Sequence, residues 1–156
     1  MFVKTKKYKL ASNTYIKLGM KNIIREQWWV FLIALAIASG TFFIYTYWFI
    51  IGAIIGLSLY FLFWLIQFYG ITQLEENQII FEKLSYEITS HQVLVQFSAK
   101  QGMPIPWNQI KSAVQGKDYF LLVVSRGQLI HLPHKIFNSK HEIKFVETIL
   151  KRKRFI

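Results

Sequence analysis

The sequence predicts a membrane-embedded α-helical hairpin joined to a small α+β domain. Three observations predict it. Residues 27–74 contain no Lys, Arg, Asp or Glu, a run of 48 positions. Basic side chains crowd the segment before that run. After it, short apolar alternations separated by turn residues lead to one amphipathic helix. The composition agrees: 53% of the 156 residues are hydrophobic, 17% aromatic and 17% charged, with a net charge of +11 and a mean hydropathy of +0.30. An average soluble domain carries roughly 25% charged residues. So apolar a chain is not intrinsically disordered. The absence of cysteine excludes a disulfide scaffold, a thiolate metal site and a thiol nucleophile.

A bilayer-spanning helix needs about 20 apolar residues. The charge-free run therefore makes two spans and a short turn. A single helix of that length would measure about 72 Å, more than twice the hydrocarbon thickness. The spans fall at 28–45 and 48–69. Trp28 and Trp29 open the first, Tyr45, Tyr47 and Trp48 mark the turn, and Tyr69 closes the second. Such rings favour the membrane–water interface. Lys17, Lys21 and Arg25 precede the first span, where anionic headgroups would lie. Each cation near such a surface contributes about 1 kcal/mol. Lys17, Lys21 and Arg25, with Trp28, Trp29, Trp48 and Tyr69, are the expected interfacial anchors.

The first 27 residues hold seven basic side chains, and the turn between the spans holds none. The positive-inside rule then places the N-terminus in the cytoplasm. Two crossings return the C-terminus to the same side. The run is too long, and too far from Met1, for a cleaved signal peptide. Neither span carries a Lys, Arg, Asp, Glu or His of the kind that proton relays and ion paths require, so the chain alone is not expected to form a transporter or channel. Ala34 with Ala38 and Gly52 with Gly56 form small-xxx-small pairs. They serve either close packing within the hairpin or a homodimer face.

Around the hairpin, four segments follow. Residues 1–27 give a basic strand and an interfacial helix, 28–69 the hairpin, 70–83 a helical stalk, and 84–156 a cytoplasmic domain. In 2–10, Phe2, Lys4, Lys6, Tyr8 and Leu10 alternate with Val3, Thr5, Lys7 and Lys9, the period of a strand. Ser12 or Asn13 caps a helix that runs through Tyr15, Ile16, Ile23 and Ile24 straight into Trp28. Beyond the stalk, Tyr86 and Ile88 begin a set of strands. Ser90-His91 turns, and Val93, Val95 and Phe97 alternate with polar neighbours. Gly102, Pro104 and Pro106 break the run before Trp107, and Asn108-Gln109 makes one helical turn. Residues 110–115 return as a strand, 119–124 form an apolar strand covered on both faces, and 125–128 a hairpin turn into 129–132. Ser139 and Glu142 form a capping box. Ile143, Val146, Ile149 and Leu150 then line one helix face, and Lys151, Arg152, Lys153 and Arg154 sit at its end, where the helix dipole favours cations. These strands and a closing helix make the domain, with 2–10 as a further strand that would hide a sheet edge.

The stretch Met103-Pro-Ile-Pro-Trp107-Asn-Gln-Ile110, then Lys117-Asp-Tyr-Phe-Leu-Leu122, then Leu132-Pro133-His-Lys-Ile-Phe137 and the terminal helix resembles the C-terminal domain of YcxB-like bacterial proteins. The order of a basic N-terminal segment, two spans and a small domain is similar too. The resemblance implies a pleckstrin-homology-like fold, with orthogonal sheets forming a partly open barrel capped by a C-terminal helix. It also implies a bacterial inner-membrane location. It implies no activity. His134 stands between Pro133 and Lys135, where the family often has a basic residue directly after the proline.

Four residues are candidates for partner binding: Trp107, Arg126, His134 and Lys135. Trp107 is either a recognition aromatic or a plug in one end of the barrel. The basic residues Arg126, Lys135, Lys140, Lys144 and 151–154 are either solvated surface or a site for an anionic partner, a lipid headgroup or an acidic peptide. His131 and His134 lie three apart across a strand end and make a poor metal pair. The one Asp of the C-terminal part, Asp118, sits in a turn beside Lys117, where Asp bonds its own backbone. No GxSxG, Walker, GxGxxG or HExxH motif occurs. No cofactor and no metal are expected. Nucleic acid is not an expected partner, because the aromatics are not interleaved with the basic residues.

The expected function is that of a non-enzymatic inner-membrane protein, with lipid around its spans, presenting a cytoplasmic pleckstrin-homology-like module to a protein or peptide partner. Two other readings fit a short chain without catalytic groups. One is an immunity protein against a toxin or bacteriocin. The other is a small structural subunit of a cell-envelope complex.

Overall fold

The structure, a computed structural model, describes residues 2–98 and 101–156. It is an α+β chain of two compact units. One joins Met1–Ser12 to Leu74–Ile156, and the other is Asn13–Gln73. The first unit is therefore discontinuous in sequence, and the helical unit is an insertion in it.

The discontinuous unit holds two antiparallel sheets. Strands β1 (Val3–Lys4), β2 (Tyr8–Lys9), β3 (Lys83–Ile88), β4 (Gln92–Gln96) and β5 (Gly102–Pro106) form the first, in the order β1-β3-β4-β5 with β2 also on β3. Strands β6 (Ser112–Gln115), β7 (Tyr119–Val123) and β8 (Leu129–Pro133) form the second. Helix α4 (Lys140–Arg152) closes the chain and buries Val146, Ile149 and Leu150. The core gathers Ile88, Val93, Phe120, Leu122, Leu132 and Leu150, each fully or almost fully buried. Strand β7 buries Phe120, Leu121, Leu122 and Val123 in succession, as its unbroken apolar run requires.

The N-terminal segment does join the sheet, but not as one regular strand. Lys4 pairs with Glu87, and Tyr8 with Leu84. Four residues on one side thus match three on the other, which is a β-bulge. Thr5 stays on β3: its N–H donates to the Tyr86 carbonyl and its Oγ1 accepts from the Tyr86 N–H. The Lys6 N–H turns away and donates to the Ile136 carbonyl at 2.8 Å. The extra residue reverses the inside–outside parity, so Val3 and Thr5 are buried before it and Leu10 after it. A strict period of two misses this switch.

Residues 102–106, expected as a break, are strand β5. Proline cannot donate to a ladder, so it is tolerated on an edge strand with its nitrogen facing away. Pro104 and Pro106 sit opposite Leu94 and Gln92, while Met103 and Ile105 face Val95 and Val93. The outer row of β5 therefore lacks N–H donors at both prolines, which blunts this edge against further strands. At α4, Ser139 Oγ accepts from the Glu142 N–H as expected. The Glu142 carboxylate, however, accepts from the Asn138 N–H at 2.7 Å, one residue before the position a reciprocal box would use. Asn138 also donates from its side chain to the Lys4 carbonyl and so ties the helix start to β1.

In the helical unit, α1 (Ser12–Glu26) is followed by α2 (Trp29–Ser39), a 3-10 turn at Gly40–Phe42, and α3 (Trp48–Gln73). Helix α1 does not run straight into Trp28. It meets Trp29–Phe42 at a 63° bend. Here Val30 and Phe31 donate to the carbonyls three residues back, a tightening of the ladder that turns the axis. Helices α2 and α3 form an antiparallel hairpin: the Phe31 ring meets Phe61, and Gly40 lies under Phe49. Helix α3 is long and apolar enough to cross a bilayer, at about 39 Å. The first helix of the hairpin is shorter than expected, since 29–42 spans only about 22 Å. Helix α3 stops at Gln73, and Leu74 is extended. The helical stalk is thus replaced by a 3-10 segment, Glu75–Phe81, in which Phe81 is buried.

At Gly19, α1 lies close against α3. A Cβ there would lie 2.6 Å from the Phe68 ring, which is itself buried. Tyr15 meets the same ring edge-on at 5.9 Å. The Tyr60 hydroxyl donates to the Gln27 side chain at the other end of the contact. We expect Gly19→Ala to lose about 1–2 kcal/mol despite the better helix propensity of Ala, because a methyl must be forced into a filled core. A lowered thermal midpoint in detergent, recovered in part by adding Phe68→Leu, checks this.

Candidate functional site

Where the two sheets of the discontinuous unit part, they leave an apolar groove of about 260 Å³. Leu84, Tyr86, Val95, Phe97, Met103 and Ile105 supply one wall, from the inner face of β3, β4 and β5. Leu129 and Ile130 of β8 supply the opposite wall, and Ile79 and Ile80 of the 3-10 segment overhang it. Alternation explains the first wall: the even positions of β3 and the odd positions of β4 and β5 point inward together. The rim is polar, with Glu76, Asn77 and Gln128. Met103 and Ile79 remain 39% and 47% exposed, so the mouth is open to solvent. Burial pushes the Tyr86 hydroxyl up to about 12, and Tyr8 adds to the shift. It is thus a neutral wall residue. Glu76 is the one carboxylate in the lining. Among the described residues no group of three His, Asp or Glu is placed to hold a metal ion.

The four sequence candidates do not converge. Trp107 is 3% exposed, its Nε1–H donates to the Thr89 carbonyl at 2.9 Å, and its ring lies 6.3 Å from Phe155. It fills the interior and presents no face to a partner. Arg126 is in the exposed turn before β8, and His134 follows the end of β8. Five strand residues, about 17 Å, separate them. His134 is half-buried, with its ring 5.0 Å from Phe120. Lys135 is exposed and holds its ammonium 5.7 Å from the Tyr8 ring. Sequence reasoning missed the groove itself. Its two signals were Met103 and Ile105 alternating with the prolines, and the paired Ile79-Ile80, read as break and stalk.

In the helical unit, Lys17, Lys21, Arg25, Trp28, Trp29, Trp48 and Tyr69 are all exposed. Gly52 and Gly56 do not make the close packing within the hairpin that their spacing allows. A Cβ at either would meet nothing within 4 Å, and with Ala34 they line a shallow apolar groove. Ala38 is half-buried, and Ala53 is the small residue that α3 buries.

Beside the groove, His131 of β8 joins the N-terminal strand to the second sheet. It is 8% exposed, its Nδ1 lies 3.1 Å from the Tyr8 hydroxyl, and the Tyr119 ring stands 5.1 Å away. Burial, with Lys135 nearby, pushes its pKa down to about 4. In the unfolded chain it titrates near 6.5. Below that pH the unfolded state binds the extra proton, so stability falls as pH drops from about 6.5 to about 4 and levels off below. The slope stays under about 1.4 kcal/mol per pH unit. We expect His131→Gln, which can still accept from Tyr8, to remove this share of the slope when wild type and variant are unfolded in denaturant between pH 4 and 7.

Neither a curated protein nor a solved structure matches the chain. The family model described as YcxB-like protein matches residues 87–150, from the end of β3 through most of α4. These residues include Ile105, most of the two-sheet core and the fold's closing helix, and over them the chain is similar to the YcxB-like family.

Proposed function

We propose that this YcxB-like chain is a non-enzymatic protein of the bacterial inner membrane. Its helical hairpin anchors a pleckstrin-homology-like module that takes an apolar segment of a protein partner into the groove between its sheets. The observation that carries the binding half is the groove: both sheets wall it with aliphatic and aromatic side chains, and its mouth is open. Such concave apolar sites with a few polar rim groups are the usual form of a binding site. The blunted β5 edge argues against a partner added as a further strand, so the partner would insert side chains. Two sheets with a closing C-terminal helix support the pleckstrin-homology-like reading.

Two observations support the anchor. Helix α3 is apolar all round yet buries only Ala53 and Phe68, so it needs an apolar surrounding. The pairing of β2 with β3 then bears on the number of crossings. Lys9 and Lys83 are cross-strand partners, so the chain leaves and re-enters one sheet. A single crossing by α3 would put those two strands on opposite sides. The bent pair Ser12–Glu26 and Trp29–Phe42 is the segment that would supply the return. Both termini would then share the cytoplasmic side that the basic N-terminal segment favours.

The chain has no cysteine, so single cysteines report topology cleanly. Tyr47→Cys should react with a membrane-impermeant maleimide applied to spheroplasts, and Ser139→Cys only after lysis. The reverse pattern would overturn the orientation. For the groove, a photo-crosslinking residue at Met103 should give a discrete adduct in cells that Ile79→Glu abolishes. An adduct unchanged by Ile79→Glu, or none above background, would count against the groove as the binding site.

A further inference from the structure

The bulge in the N-terminal strand does more than fit it to β3. By reversing parity between Lys4 and Tyr8, it leaves Lys4, Lys7 and Lys9 on the outer side of the sheet. On β3, Lys83, Ser85 and Glu87 share that side, opposite the buried Leu84, Tyr86 and Ile88. Lys4, Thr5, Lys7, Ser85, Gln96 and Ser98, with the Phe97 ring, line a shallow groove of mixed character there, of about 230 Å³. At one end of this face Lys9 lies directly opposite Lys83. Cross-strand partners hold their Cβ atoms about 5 Å apart, and like charges so placed destabilise a sheet.

The acidic neighbours do not relieve this pair. Glu87 lies opposite Lys4 and accepts from Gln96 Nε2 at 3.3 Å. Alternation turns Glu82 to the other side of the strand. Among the described residues neither Lys9 nor Lys83 makes an ion pair, and both are exposed. A sheet that sets two lysines directly opposite one another, with Lys7 two residues along the same strand, gains stability when an anion bridges their ammonium groups.

We propose that this outer face, centred on Lys9, Lys83 and Lys7, binds a phosphate-bearing anion. Lys9 and Lys83 lie close in sequence to the points where the chain passes between its units. On the membrane reading given above, the source is an anionic lipid headgroup. That source rests on the proposed anchor, whereas the phosphate chemistry does not.

The test is thermal unfolding of the full chain in dodecyl maltoside with three additives: short-chain phosphatidylglycerol, short-chain phosphatidylcholine and inorganic phosphate. Phosphatidylglycerol should raise the midpoint by about 2 °C or more, and phosphatidylcholine should not. Lys9→Gln and Lys83→Gln should each raise the midpoint without additive, since the repulsion is relieved, and each should remove the response. Lys153→Gln should keep it. A response to phosphatidylglycerol alone supports a headgroup site, and an equal response to phosphate supports a site for the free anion. No response to either, a response that survives both substitutions, or one equally lost in Lys153→Gln overturns the proposal. The cysteine labelling above tests the anchor separately, so the two failures are distinguishable.

Discussion

The pairing of the first ten residues with strand β3 is the constraint on which the rest of the structure depends. It binds residues that stand on either side of the helical insertion into one sheet. The hydrogen bonds are specific. Thr5 exchanges two with Tyr86, Lys6 reaches Ile136, and Asn138 reaches back to Lys4. The N-terminal strand thereby touches β3, the segment after β8 and the start of α4 at once. Without it the first sheet would end on the bare edge of β3, and His131 would lose its hydroxyl partner. An 83-residue remainder would also be close to the size at which a single core is marginal.

The same pairing disciplines the helical unit. Because β2 ends opposite the start of β3, everything between is an excursion that returns to its origin. One apolar helix cannot satisfy that in a bilayer, whereas a helix with a bent companion can. The bend at Gln27-Trp28 also divides labour. Helix α1 is amphipathic and carries its lysines outward. The segment beyond the bend and α3 carry no charge and expose their large side chains. The chemistry of each segment matches the surroundings that the topology would give it.

The groove and the lysine face are two products of one sheet. Alternation sends Leu84, Tyr86, Val95 and Ile105 to the inner side and Lys83, Ser85 and Gln96 to the outer. The inner side is apolar because it meets the second sheet, and it opens only where the sheets diverge. The outer side is polar and cationic because the bulge adds Lys7 and Lys9 to Lys4 there. A partner protein and an anion would thus use opposite faces of the same five strands, without competing for space.

Much of this was legible in the residues. The charge-free run, the strand alternation from 84 onward, Ser139 as a cap and the apolar face of α4 are local or periodic features. Their physical causes, desolvation and backbone hydrogen bonding, act within a few neighbours. The YcxB-like resemblance rested on short motifs in the same region. Less legible were the features set by distant partners. The prolines at 104 and 106 look like breakers until an edge position excuses them. Trp107 looks available until Thr89 and Phe155 enclose it. Residues 75–81 look like a helix continuing, yet they turn as a 3-10 segment that buries Phe81. The sequence by itself determined which segments are oily, which alternate and where the cations cluster, since each follows from side chains and their spacing. Only the tertiary structure decided that the N-terminal strand bulges onto β3, that a groove opens between the sheets and that Lys9 faces Lys83. Those depend on contacts between residues far apart in sequence, which no local pattern encodes.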